Sequence, residues 1–219
     1  MPLRLSGEKG PYILVPHSMS GLEALYWAQE YPDEVKAIVG LDPLTPESVE
    51  AIGDLHKGRL YFMHVVARTG LTRFIPEPEI GEQLPLMKSA ELSAEDNETY
   101  MAVFYRSTFT KDMLREVGSL RTNAAMVAEN PVPTDTPMVF FISQGQEEVA
   151  PGWKKALYDY LSQITTGKSM ELETGHYLHY EESELIAEEA GKFITGTGRF
   201  AEKGSGKSEG GNRNPGEGG

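Results

Sequence analysis

Apolar and polar positions alternate between two kinds of run along this chain. Tyr12-Ile13-Leu14-Val15 is a short apolar stretch rich in aromatic and branched side chains, which predicts a buried strand. It runs into Pro16-His17-Ser18-Met19-Ser20, and a helical spacing follows at Leu22, Leu25, Tyr26 and Ala28, giving a helix from Met19 to about Tyr31. Pro32-Asp33 ends that helix, and Val35–Leu41 is a second apolar strand ending at Asp42-Pro43. Strand, helix and strand so close together imply parallel strands and an α/β sheet.

The pattern then changes. Helical spacing predicts helices over 48–70, 93–106 and 110–129, with a loop over 74–89 and Ser93 as an N-cap. No strand pattern is visible between Thr45 and Asn130, so this segment is expected to be an all-helical cap inserted into the sheet. Sheet features resume afterwards. Met138–Ile142 is a strand, Ser143–Val149 a loop, Gly152 to Ile164 a helix, Ser169–Leu172 a short strand and Ser183–Ile194 a last amphipathic helix. The expected organisation is 1–44 as the first part of an α/β core, 45–130 as cap, 131–195 as the second part of the core, and 196–219 as a glycine-rich disordered tail.

Composition narrows the chemistry. The net charge of −13 makes duplex nucleic acid and anionic membranes poor partners. With no cysteine there is neither thiolate catalysis nor a cysteine metal site. None of the five histidines forms a His-x-x-x-His pair next to a glutamate, which disfavours a zinc hydrolase; neither metal nor cofactor is expected. No long apolar run or signal-like segment is present, so a cytoplasmic location is the default expectation.

Candidate chemistry starts at Ser18. A serine between a strand and a helix is the setting of a nucleophile elbow, where the turn exposes the hydroxyl and the first helical N–H groups face a developing oxyanion. The plainer alternative is a helix N-cap serine. Thr174-Gly175-His176 follows a strand and precedes the last helix, and a histidine there can shuttle the serine proton. His179 is read as a flanking polar group. His17 is expected to point to the other side of the turn in a structural role, while His56 and His64 fall in the cap.

His17-Ser18-Met19-Ser20-Gly21, followed by a helical insertion and a late Gly-His, resembles the α/β-hydrolase superfamily, whose elbow is usually Gly-x-Ser-x-Gly. Here Pro16 and Ser20 stand where that pattern has glycines. The resemblance implies Ser18 as nucleophile, His176 as base and the Met19 N–H as one oxyanion donor. Two positions for the acid follow from it. Asp42 in Gly40-Leu41-Asp42-Pro43 resembles the Gly-Leu-Asp-Pro of triglyceride lipases and is preferred; Glu148, in Gln144-Gly145-Gln146-Glu147-Glu148, is the alternative, with Glu147 beside it. The similarity spans about Tyr12 to Ile194 and implies a partial fold: the early strands, and the loop with the second oxyanion donor, usually lie upstream of the elbow.

The implied function is a serine hydrolase acting on a small-molecule ester or similar acyl bond, with apolar cap residues such as Phe62, Met63, Phe74, Met87, Phe104 and Met126 available as core or pocket lining. The alternatives are a non-catalytic fragment or binding protein, and an aminopeptidase or amidase with the same triad. Epoxide hydrolases and dehalogenases are disfavoured, since those relatives carry aspartate where Ser18 stands.

Overall fold

A computed structural model describes residues 7–53, 57–71 and 93–196. His56, Phe74, Met87, the 74–89 loop and the tail over 197–219 lie outside the described residues, as does the side chain of Met63.

Four strands form one parallel sheet in the order β1 (Tyr12–Leu14), β2 (Val35–Leu41), β3 (Met138–Ser143) and β4 (Gly167–Leu172). Ile38 pairs with Met138, and Met138 with Gly167, so the strands run in step to a common C-terminal edge. The elbow helix α1 is Ser20–Glu30. Between β2 and β3 come α2 (Pro46–Ala51), α3 (Lys57–Arg68), α4 (Ala94–Ser107) and α5 (Lys111–Glu129). After β3 come α6 (Gln144–Val149) and α7 (Trp153–Leu161), and after β4 come α8 (Leu178–Glu181) and α9 (Ser183–Thr195).

Side-chain alternation on β2 and β3 splits the interior in two. Ile38, Met138, Phe140 and Ile142 face Leu22 and Leu25 of α1, Leu120, Ala124 and Val127 of α5, and Trp153, Leu157 and Tyr160 of α7. Val39, Leu41, Val139 and Phe141 face Leu178 of α8 and Ile186 of α9. β3 is fully buried throughout, as expected of a central parallel strand with helices on both faces. Each fully buried phenylalanine there contributes on the order of 2–3 kcal/mol.

Three local expectations are corrected. The single helix over 48–70 is two, because Thr45 and Ser48 form a capping box and Pro46 takes the first helical position, starting α2 early; Gly53, at φ +73°, follows its end. The 143–149 loop is the short helix α6, started by Ser143, whose Oγ accepts from the Gln146 N–H at 3.2 Å. β4 begins two residues early at Gly167, where a Cβ would meet the Leu161 carbonyl oxygen at 2.5 Å. Ser93 is the N-cap that the sequence suggests, accepting from Asp96 N at 3.1 Å, and Thr110 likewise caps α5, accepting from Met113 N at 3.2 Å. The apolar residues of 45–130 are unevenly buried. Leu120, Ala124 and Val127 enter the core, while Phe62 is 64% exposed and α4 buries none of its side chains. No helix among the described residues is long and apolar enough to cross a membrane.

Candidate active site

The candidate groups sit just beyond the C-terminal ends of successive parallel strands: Ser18 after β1, Asp42 after β2, Ser143 at the end of β3 and His176 after β4. This is the edge where ligands bind in open α/β sheets.

The elbow is built from the β1–β2 ladder. The Leu41 N–H donates to the Pro16 carbonyl at 2.8 Å, and the Ser18 N–H donates to the Leu41 carbonyl at 3.3 Å. His17 is therefore the residue bridged to Leu41, and the ladder never calls on an N–H at position 16. Proline is accommodated there without losing a bond. Ser18 then adopts φ +55°, a left-handed conformation uncommon for a residue with a side chain, and Met19 returns to the helical region at φ −57°.

Ser20 secures the turn. Its Oγ donates to the His17 carbonyl at 2.8 Å and accepts from the His17 N–H at 2.9 Å. Tight packing falls one residue later: a Cβ on Gly21 would lie 2.4 Å from the Leu44 carbonyl oxygen and 2.6 Å from its nitrogen. The Ser18 carbonyl meanwhile accepts from Gly21 N at 3.0 Å and Leu44 N at 2.8 Å. Among the described residues, neither the Met19 N–H nor the Ser18 Oγ has a hydrogen-bond partner.

Asp42 is fully buried and also left-handed, at φ +45°. Its Oδ1 accepts from the Ser143 N–H at 2.9 Å and the Trp153 Nε1–H at 3.2 Å. Its Oδ2 accepts from the Ser143 hydroxyl and from the His176 Nδ1–H at 3.1 Å. Two carboxylate oxygens thus meet four donors, the compensation a buried carboxylate requires. The same Ser143 Oγ caps α6.

The other candidate acids are placed differently. Glu148 is exposed on α6 and has no bond to His176 among the described residues. Glu147 accepts from Gly152 N at 2.9 Å and Lys154 N at 2.8 Å, which caps the start of α7.

The His176 loop is fastened along its length. The Gly145 N–H donates to the Thr174 carbonyl at 3.0 Å, the Gly175 N–H to Glu181 Oε1 at 3.2 Å, and the His17 Nε2–H to the His176 carbonyl at 3.0 Å. His17 does not turn away from this region, as its place in the elbow predicted. Its ring centroid lies 4.7 Å from those of both His176 and His179 and 5.3 Å from that of Tyr177. The His17 Nε2–H bond to the His176 carbonyl holds the ring against the β4 loop. Burial is the main influence holding both His17 and His179 below the ordinary histidine pKa of 6.5, with the neighbouring His176 charge adding to it. In the 45–130 segment, His64 is buried, and its Nδ1–H donates to the Phe109 carbonyl at 2.6 Å. That bond fastens the turn between α4 and α5.

An apolar cavity of about 250 Å³ lies between α1 and α5, lined by Met19, Leu22, Tyr26, Leu120, Met126 and Val127, with Glu23, Glu116 and Asn123 at its polar side.

No protein-family model matches the chain. The uncharacterized protein YbdG of Bacillus subtilis is 29% identical over 190 residues, 84% of this chain; the chain spans 58% of that relative's length. Similar solved structures include an α/β hydrolase enzyme from a Medee basin deep-sea metagenome library, at TM-score 0.55 and 16% identity, covering 90% of this chain and 67% of that one. A haloalkane dehalogenase loop variant from Bradyrhizobium elkanii aligns at TM-score 0.56 and 18% identity, over 90% and 70% of the two chains. A thermophilic esterase from Thermogutta terrifontis aligns at TM-score 0.51 and 18% identity, over 90% and 70%. At such identities the likeness speaks of architecture, and with the parallel sheet and its flanking helices it shows that this chain has the α/β-hydrolase fold.

Proposed function

We propose that the protein is a serine hydrolase that cleaves a small-molecule carboxylic ester or similar acyl bond. The observation that carries this reading is the bond from His176 Nδ1–H to the buried Asp42, on the same sheet edge as a serine held at a left-handed elbow.

Ser18 Oγ attacks the substrate carbonyl while His176 Nε2 takes its proton. Asp42 keeps the proton of the neutral ring on Nδ1, leaving Nε2 free to accept, and stabilises the imidazolium that forms. The unpartnered Met19 N–H is one oxyanion donor; a donor of this kind contributes on the order of 3–4 kcal/mol to the barrier. His176 returns the proton to the leaving alcohol. A water molecule, deprotonated by His176, then attacks the acyl-enzyme; as the acyl–Oγ bond breaks, His176 returns that proton to Ser18 Oγ and the carboxylic acid leaves. The helices of 45–130 act as the cap. The cavity at Met19 takes the apolar part of a small or medium substrate.

A fluorophosphonate probe and p-nitrophenyl acetate test this together. The wild-type chain is expected to carry the phosphonyl group on Ser18 and to hydrolyse the ester, and Ser18→Ala to do neither. A wild-type chain that stays unlabelled would overturn the catalytic reading and leave a binding protein of the same fold.

A further inference from the structure

The elbow carries a second functional group beside its serine. A carbonyl oxygen can only accept, so the 3.0 Å contact between His17 Nε2 and the His176 carbonyl requires a proton on Nε2. This bond joins positions 159 residues apart, the residue before Ser18 and the backbone of His176 itself. The His17 ring is also packed on three sides by His176, His179 and Tyr177, so it has little freedom to turn over. His17 is in turn fixed by two bonds between its own backbone and Ser20 Oγ.

We propose that His17 is a positioning residue that works through this single N–H: it holds the His176 backbone where the imidazole bonds Asp42, beside the elbow that carries Ser18. The proposal rests on the reading of His176 as the general base. A turn tied only to the sheet would leave the β4 loop to be fixed by the Gly145–Thr174, Gly175–Glu181 and His176–Asp42 bonds, none of which touches the elbow. Among the described residues, the His17 bond is the hydrogen bond that joins the elbow to the β4 loop. Its burial and its histidine neighbours keep His17 neutral at neutral pH, which avoids a second cation beside the imidazolium formed in catalysis. Among the described residues no three ligating side chains converge as a metal site would require, so the clustered histidines are not explained as ligands.

Two substitutions separate the N–H from the ring. His17→Phe keeps an aromatic body and removes the donor; His17→Gln removes the ring and keeps an Nε2–H at similar reach. The expected result is a fall in kcat of about 10–100-fold in His17→Phe with KM within about threefold, and recovery of most of that loss in His17→Gln, the size expected for a group that orients a catalytic base. Long-range 15N–1H spectra of the wild type are expected to show His17 as the Nε2–H tautomer. The downfield Nδ1–H proton of His176 is expected to be sharp in the wild type and His17→Gln and broadened in His17→Phe. An active Phe variant beside an inactive Gln variant, or an Nδ1–H tautomer at His17, would overturn the proposal. The spectra read the His17 and His176 protons whether or not the chain hydrolyses an ester. A wild type that takes up no fluorophosphonate therefore defeats the hydrolase reading and the role of His17 that rests on it, whereas the wrong tautomer in a labelled wild type defeats the His17 proposal alone.

Discussion

Asp42 and Glu148 answer differently to the same isosteric change. Asp42→Asn places an amide where four donors converge, so the His176 ring is no longer held with its proton on Nδ1. The expected loss in kcat is on the order of 10⁴-fold, against a change within about twofold for the exposed Glu148→Gln; comparable losses in the two would remove Asp42 from its role. Two histidines set the response to acid. Unfolded, His17 and His179 take up protons near the ordinary value of 6.5; folded, they resist until lower pH. The unfolded chain therefore binds more protons on the acid side. The stability these residues contribute is complete above pH 6.5 and drains away as pH falls from there through their folded values. Urea midpoints are expected to drop between pH 7.5 and 5.5, and to drop less in His17→Gln. The turn at Ser18 and the strand ends before Asp42 and His176 were legible as places in the sequence, because strand-turn-helix order and strand ends leave local marks. The contact of His17 with the His176 loop was not, since a bond across 159 residues leaves none.

At the level of elements, glycines with opposite surroundings make a paired prediction. The start of α1 passes so close to Leu44 that Gly21→Ala must move backbone, and it is expected to cost about 1–3 kcal/mol and to lower activity. Gly118, inside α5 with nothing near its missing Cβ, is free to become alanine, with an expected gain of about 0.5–1 kcal/mol. Denaturant midpoints of the two variants check both signs. The long helices and the buried strands were readable from periodicity and caps. Helix α6 was missed because Gln-Gly-Gln-Glu-Glu-Val has neither an apolar stripe nor the length to show one, and its start depends on a hydroxyl shared with Asp42. The apolar residues of α3 and α4 misled in the other direction. Their spacing is that of core helices, yet Tyr61, Phe62 and Val103 are each more than half exposed.

Across the whole molecule, β1 and β4 are the two edge strands of the described sheet. Among the described residues β1 pairs only with β2, and Ile13 within it and Val15 just after it are exposed at 37% and 59%. Open apolar strand edges favour association. Light scattering is expected to rise with protein concentration and to fall in Val15→Lys, while an unchanged curve in that variant would absolve the edge.

The arrangement of one group per strand end has a consequence for how the molecule comes into being. Asp42 and His176 are 134 positions apart, and Ser143 and Asp42 are 101 apart, so no stretch of chain short enough to form early holds a working pair. Such distant closures are slow relative to helix formation. On refolding, helical signal is expected to return before reactivity toward the fluorophosphonate, making labelling at Ser18 a clock for the last chain closure.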